Sequence, residues 1–325
     1  MSSRLFSISL LAAISASSAQ ALAAQATNYP ERAIRLIVPF SPGGTTDFSA
    51  RIVADALTEE LGQQLVVDNR GGAGSAVGTL LATQATPDGY TILLANIGLA
   101  VNETLRPKRG YRALDALTPI SVVGLAPSAL VVNKDTRFKT VADLVKAAKA
   151  QPGKIVFGSA GVGSSTHLSM SYLQSVAGMK LHHVPYKGGG PAVAGMIGGE
   201  VQAVLTPIPT AFPHIKSGRV RVLAVSSGKR SSVLPDVPTI AESGVPGFEF
   251  STWFGLLAPA GTPKARIERL NQATVQVLRS PDLIKKLRAA GMEPAPTTPE
   301  EFGALIRSDI PKWRKVIKEA GIPTV

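Results

Sequence analysis

The stretch Ala33 to Leu61, AIRLIVPFSPGGTTDFSARIVADALTEEL, decides how the rest of the chain is read. Ile34, Leu36, Ile37 and Val38 form a short apolar run with β-branched character, the pattern of a buried parallel strand. The run breaks at Pro39, where PFSPGGTTD (Pro39 to Asp47) begins. Beyond it Phe48, Ile52, Val53, Ala56, Leu57 and Leu61 fall on one face of a helix. The stretch therefore predicts a strand, a glycine-rich turn and a helix. Gly43 and Gly44 remove side chains that would hold a ligand away from the main chain. Thr45 or Thr46 can cap the helix, but the first-turn N–H groups still need acceptors. Aligned peptide dipoles place roughly half a positive charge at such a terminus, so an anion fits there without a cationic side chain. No Lys or Arg lies between Pro39 and Ala50. A purely structural turn is the alternative reading of this stretch alone.

Outward from it, 325 residues with 45% hydrophobic content supply more core than one usual domain needs, so two domains are expected. Residues 1–26 carry one charge, Arg4, then an apolar segment from Leu5 to Ile14, then small residues with Ala-Gln-Ala and Ala-Leu-Ala as cleavage sites. This is the pattern of a secretory signal peptide. No later stretch reaches the roughly 20 apolar residues of a membrane span, so the mature chain is expected to be an exported, soluble protein without one. The absence of cysteine excludes disulfides, a thiolate zinc site and attachment of lipid to an N-terminal cysteine. Of the four histidines, His182 and His183 are neighbours; on a strand they point to opposite faces, which argues against a shared metal. The net charge of +12 is spread along the chain, with little aromatic interleaving in the denser groups at Arg106 to Arg112 and Lys285 to Arg288. A solvated basic surface is expected, not a nucleic-acid site.

Further along, Gln63 to Asn69 reads as a strand, and RGGAGSAVG (Arg70 to Gly78) leads into a helix. Gly72, Gly74 and Gly78 make a loose dinucleotide fingerprint, but Val77 stands where the third glycine belongs, so a structural turn is expected. Tyr90 to Leu94 reads as a strand whose end places Asn96 at a pocket wall, and Val101 to Leu117 looks irregular. Thr118 to Val123 and Ala129 to Val132 read as two strands, and Val141 to Ala150 as a helix ended by Pro152-Gly153. Next, Lys154 to Phe157 and GSAGVGSSTHL (Gly158 to Leu168) repeat the opening strand, glycine turn and helix. Gly161 and Gly163 open this second turn, and Ser159, Ser164, Ser165 and Thr166 supply hydroxyls close to free N–H groups. A third glycine turn lies in LHHVPYKGGGPAV (Leu181 to Val193), with Lys187 as a positive charge. Val201 to Thr206 ends at Thr206-Pro207, a strand end of the kind where ligands of open α/β sheets gather. Val220 to Val225 and Phe248 to Leu257 read as strands; in the second, Trp253 or Phe254 lines a cleft or packs in the core. Ala265 to Leu278, Leu283 to Ala290 and Glu300 to Lys318 read as covering helices.

The ordered set PFSPGGTTD, VVDNRGGAGSAVG, ATPDGY, GSAGVGSSTHL, HVPYKGGGPA, LPDVPTIAESGVPG and APAGTP resembles the Bug-type, TctC-like family of periplasmic receptors for tripartite tricarboxylate transporters. The resemblance covers the chain from Tyr29 onward. It implies an α/β fold of the type II periplasmic binding protein kind: two Rossmann-like lobes, residues 27–123 with 229–325 and residues 124–228, joined by two crossovers and closing on a ligand like a flytrap. It further implies a monomer without cofactor that binds a small organic carboxylate and makes transient contact with inner-membrane permease subunits. In the family a ligand carboxylate sits between two turns, held mainly by main-chain N–H groups. Here those turns match Phe40, Ser41, Gly43, Gly44, Thr45 and Asp47, and Ser159, Gly161, Gly163, Ser164, Ser165 and Thr166; Asn96, Thr206 and Trp253 stand at the far end of the ligand. Asn102-Glu103-Thr104-Leu105 replaces the usual NPxLY.

Two other functions were weighed on the sequence. A ligand sensor for a signalling partner would bind by identical physics. An exported hydrolase would need a nucleophile elbow, and no serine satisfies GxSxG: Ser165 has Gly163 before it but His167 after. His167 lies in the same helix start, where capping or packing accounts for it.

Overall fold

The computed structural model of the protein describes residues 29–319 and 321–324; the leader at residues 1–26 lies outside them. The chain runs β1 (Ile34–Val38), α1 (Thr45–Leu61), β2 (Leu65–Asn69), α2 (Ala76–Thr83), β3 (Thr91–Asn96), α3 (Gly98–Leu105), α4 (Ala113–Ala116) and β4 (Leu117–Asn133). It continues with α5 (Val141–Ala150), β5 (Val156–Ser159), α6 (Ser165–Ala177), β6 (His182–Pro185), α7 (Gly189–Ile197), β7 (Ala203–Pro207), α8 (Ile208–Lys216) and β8 (Val220–Val225). Then come β9 (Ser251–Pro259), α9 (Lys264–Leu278), α10 (Pro281–Ala289), β10 (Glu293–Pro294) and α11 (Pro299–Glu319).

Strand β4 organises these elements because its two ends pair with different partners. From Leu117 to Pro127 it lies antiparallel to β9, which pairs in turn with β3; β1 lies between β3 and β2, parallel to both. From Ser128 to Asn133 it pairs instead with β7 and β8, while β5 lies parallel between β7 and β6. The first partners build one lobe and the second build the other. The return crossover is tied to β4 by Ser226, whose buried hydroxyl accepts from the Ser128 N–H at 2.7 Å and donates to the Phe250 carbonyl at 2.6 Å. These bonds tie the two crossovers to each other where the chain passes between the lobes.

The parallel strands are near-continuous apolar runs because helices cover both faces. Ile34, Leu36 and Val38 pack with Val53, Leu57, Leu270 and Leu283, while Val204 packs with Val193, Met196 and Ala211. Helix α5 starts on a full capping box: the Thr140 hydroxyl accepts from the Asp143 N–H, and the Asp143 carboxylate accepts from the Thr140 N–H.

Three elements differ from the sequence expectation. The 101–117 region is irregular only over 106–112: α3 ends in it at Leu105 and α4 fills Ala113–Ala116, and buried Asn102 interrupts the apolar stripe that would have marked the first. The two strands expected over 118–132 are one, with irregularities at Pro119/Ser121 and Val122/Gly124 that absorb the residues read as breaks. Helix α8 was not expected at all, since Pro209 and Pro213 disguise it; Pro209 sits in the first turn, where no intrahelical donor is lost.

Candidate functional site

A single small cavity lies where the carboxyl ends of β1, β3, β5 and β7 meet between the lobes. Phe40, Gly44, Thr45, Thr46 and Asn96 line it from the first lobe, with Phe254 from β9; Ala160, Ser165, Thr166, Gly189, Thr206, Pro207 and Thr210 line it from the second. The space between its walls is about 290 Å³ counted out to the mouth, and most of that lies at the opening. The lobes are therefore drawn close together around it.

No Lys, Arg or His is among the lining residues, so positive potential must come from the backbone. In the first turn some amides already have protein acceptors. Gly43 N–H donates to the Asp47 carboxylate at 3.0 Å, and Ser41 N–H donates across the cleft to the Lys187 carbonyl at 3.1 Å. Asp47 is held in place by Arg51 at 3.0 Å and by the Asn69 amide at 3.0 Å, so its charge is spent inside the lobe. Among the described residues no acceptor is present for the N–H groups of Gly44 and Thr46, both on the cavity wall, or for that of Asp47. Gly44 is the residue before α1 and is extended (φ −94°, ψ 170°), which aims the first helical amides at the cavity.

The second turn repeats the division. Ala160 N–H donates to the Thr166 hydroxyl at 2.7 Å, Gly161 N–H to the Ser159 hydroxyl at 3.1 Å, and Gly163 N–H to His167 Nδ1 at 3.3 Å. Ser164 caps α6 by accepting from His167 N–H. What remains without a protein acceptor on the wall is the N–H of Ser165 and of Thr166. Two helix N-termini thus converge on one cavity, each with spare donors. The N-terminus of α7 is a third: Gly189 lies on the wall, and a Cβ on Gly44 would sit 3.5 Å from its nitrogen. At the far wall the Thr206 hydroxyl is fully buried and has no partner, while Asn96 donates to the Thr46 hydroxyl at 3.3 Å.

Of the residues expected from sequence, Phe40, Gly44, Thr45, Asn96, Ser165, Thr166 and Thr206 therefore lie on the cavity wall. Ser41, Gly43, Asp47, Ser159, Gly161, Gly163 and Ser164 lie behind it and shape the two turns. Trp253 is buried away from the cavity: its indole N–H donates to Asp309 at 2.7 Å and its ring meets Phe302 edge to face, leaving the next residue, Phe254, at the wall. Alternation along a strand decides between two adjacent aromatics, and the sequence did not show which face of β9 turned inward. Thr210 was missed with its helix. Its hydroxyl accepts from Thr45 N–H at 2.7 Å and lies 2.6 Å from the Thr45 hydroxyl, so it ties the lobes together at the cavity floor.

Behind the second turn, His167 and His183 stack with centroids 4.1 Å apart, His183 also stacks on Phe157, and its Nε2 lies 2.6 Å from the Ser159 hydroxyl. Burial pushes His167 down to about 4; burial, then the neighbouring His167 and His182, push His183 down to about 3. Both rings are therefore neutral in the fold at pH values where the unfolded chain, titrating near 6.5, takes up protons. Their contribution is complete above about pH 6.5 and declines as pH falls toward 4, with a slope of about 1.4 kcal/mol per pH unit for each imidazole. A scan of melting temperature between pH 7 and 4 should show wild type falling more steeply than His167→Gln. Comparison of the two chains cancels the carboxylates: Asp309, raised by burial, acts with the opposite sign in both. Parallel curves would show that the stack does not hold the turn.

Two lobes of mixed sheet joined by two crossovers, with helix N-termini meeting at a cavity in the cleft, define a solute-binding receptor of the type II periplasmic binding protein class, not an enzyme. The chain belongs to the tripartite tricarboxylate transporter family receptors, whose family profile matches residues 49–322. Protein BugT of Bordetella pertussis is 40% identical over 298 residues, covering 91% of each chain. Among solved structures, Rpa4515 of Rhodopseudomonas palustris with adipate is 35% identical with a TM-score of 0.89, covering 91% of this chain and 100% of that one. MatC of Rhodopseudomonas palustris with bound malate is 30% identical with a TM-score of 0.83, covering 89% of this chain and 100% of that one. No helix among the described residues is long and apolar enough to cross a membrane.

Proposed function

We propose that the protein captures a small organic carboxylate between its lobes and delivers it to a tripartite tricarboxylate-type membrane transporter. The observation that carries this reading is the set of unpaired N–H groups from α1 and α6 on the wall of a cavity that holds no cation. Each helix terminus contributes roughly 0.3 to 2 kcal/mol toward an anion, and hydrogen bonds from main-chain N–H to a carboxylate are about twice as strong as those to a neutral acceptor. Gly44, Thr46, Ser165 and Thr166 would hold the carboxylate. The buried Thr206 hydroxyl and the Asn96 amide would meet the other end of the solute. Rpa4515 is seen with adipate and MatC with malate, and both are small dicarboxylic acids.

Residues 1–26 would direct the chain to the periplasm, where it would act as a monomer and meet permease subunits only in passing. The lobes would be residues 27–123 with 229–325 and residues 124–228, with β4 running through the first boundary. Calorimetry with mono-, di- and tricarboxylates and with acidic amino acids tests the reading. At least one acid should bind with a dissociation constant in the micromolar range or below, and its methyl ester should not. Silence across the panel from a protein that melts cooperatively would overturn it.

A further inference from the structure

The segment RGGAGSAVG has no part in the cavity, yet it holds the most unusual backbone of the described chain. Ala73, Gly74 and Ser75 take positive φ in succession, at 49°, 61° and 90°, and Ala73 and Ser75 are the two non-glycine residues there with positive φ. Side chains rarely adopt that region, and a segment held in it is held by its surroundings. The holder is Asn102 of α3, whose Nδ2 donates to the Gly74 carbonyl at 3.0 Å and to the Ser75 hydroxyl at 3.2 Å.

What the segment touches belongs to the other lobe. A Cβ on Gly74 would lie 1.9 Å from the Val162 carbonyl oxygen and 3.2 Å from the Ser164 nitrogen. Reciprocally, a Cβ on Gly161 would lie 3.1 Å from the Gly74 nitrogen, and one on Gly163 would lie 2.6 Å from Asn102 Oδ1. Arg106 donates to the same Val162 carbonyl at 3.4 Å. The turn that leads into the Ser165 and Thr166 amides is thus seated backbone to backbone in a pocket that a single methyl group would fill. The seat has a cost: Asn102 Oδ1 and Arg106 Nε are buried without partners. On opening, the contacts with Val162, Gly161 and Gly163 would be lost, and with them the cover that keeps Asn102 Oδ1 and Arg106 Nε from water.

We infer that Ala73–Ser75 and Asn102 form a sprung catch that sets the balance between open and closed lobes, so that affinity depends on residues that do not touch the solute. The inference rests on the reading of the cavity as a cleft that opens and closes. It does not depend on the solute being a carboxylate. The catch requires that seating against Val162 and Gly161 strain Ser75 further than Asn102 alone does, so glycine there should favour closure. Replacing Gly74 by alanine obstructs closure by steric conflict, and Asn102→Ala removes the support.

Disulfide trapping reads closure without a ligand, because the chain has no other cysteine. Ser41→Cys with Lys187→Cys places a pair across the cleft where the Ser41 N–H meets the Lys187 carbonyl at 3.1 Å. Under mild oxidant, Gly74→Ala should slow crosslinking at least tenfold, Asn102→Ala should slow it severalfold, and Ser75→Gly should speed it severalfold. All should melt cooperatively; Ser75→Gly introduces no clash and keeps the test open if Gly74→Ala misfolds. Gly74→Ala crosslinking at the parent rate, or Ser75→Gly leaving the rate unchanged, would overturn the catch, as would a parent pair that never crosslinks. Succinate, malate and adipate added to the parent pair separate the two ideas. If none speeds its crosslinking while Gly74→Ala still slows it, the catch stands and the carboxylate reading fails.

Discussion

Gly44→Val should abolish solute binding, with a loss of at least 100-fold in calorimetry, while the melting temperature of the unliganded protein falls by only about 2–4 °C. The site and the fold separate at this residue. Its backbone is extended, so valine meets no φ penalty, and the glycine makes no side-chain cap that would be lost. The nearest atoms to a Cβ there are the nitrogens of Gly189 and Gly190 at 3.5 and 3.6 Å, an ordinary contact distance. The two γ-methyls of valine, however, project into this narrow cavity, beside the amides that face it. The neighbouring glycine turn does not offer the same experiment. Gly163 has φ +86°, and a Cβ there would lie 2.6 Å from Asn102 Oδ1, so Gly163→Val breaks the turn along with the site. Wild-type affinity in Gly44→Val would place the solute elsewhere.

The contrast between these two glycines shows what the sequence could and could not tell. Strand, turn and helix were legible at both corners because apolar periodicity and glycine spacing are local signals, and the structure has β1 with α1 and β5 with α6 in those places. The hydroxyl and amide positions on the wall were legible for the same reason, since Thr45, Ser165 and Thr166 begin helices. What stayed hidden depends on contacts between distant parts of the chain. Thr210 reaches Thr45 across 165 positions, and its helix is masked by two prolines. Trp253 and Phe254 are alike as residues and differ only in which face of β9 they occupy, which neighbouring strands decide. Asp47 looked available to a ligand-facing turn until its three partners, Gly43, Arg51 and Asn69, could be seen. The RGGAGSAVG stretch shows the same limit from the other direction. Its spacing already favours a structural turn over a dinucleotide loop, but that Gly74 is needed because Val162 of the other lobe lies against it is not written in the sequence.

The second large effect should come from Ser165→Pro, a change that deletes one amide hydrogen and little else from the fold. Ser165 is the first residue of α6, where proline is well tolerated because its missing N–H has no intrahelical partner. The residue before a proline must be extended, and Ser164 already is, at φ −73° and ψ 162°. The cap made by the Ser164 hydroxyl to His167 N–H is untouched. Only the donor aimed at the cavity disappears, and a hydrogen bond to a charged group is worth about 1.5–3 kcal/mol, or roughly 10- to 150-fold in affinity. Ser165→Ala is the matching control: it removes the hydroxyl and keeps the N–H, and should weaken binding by no more than about threefold. Calorimetry of the two variants with the best acid of the panel, alongside melting curves, decides which atom holds the solute. Equal losses would transfer the clamp from the backbone to the side chain; no loss in either would remove Ser165 from it, leaving the Thr166 amide with those of α1 and α7 to hold the anion.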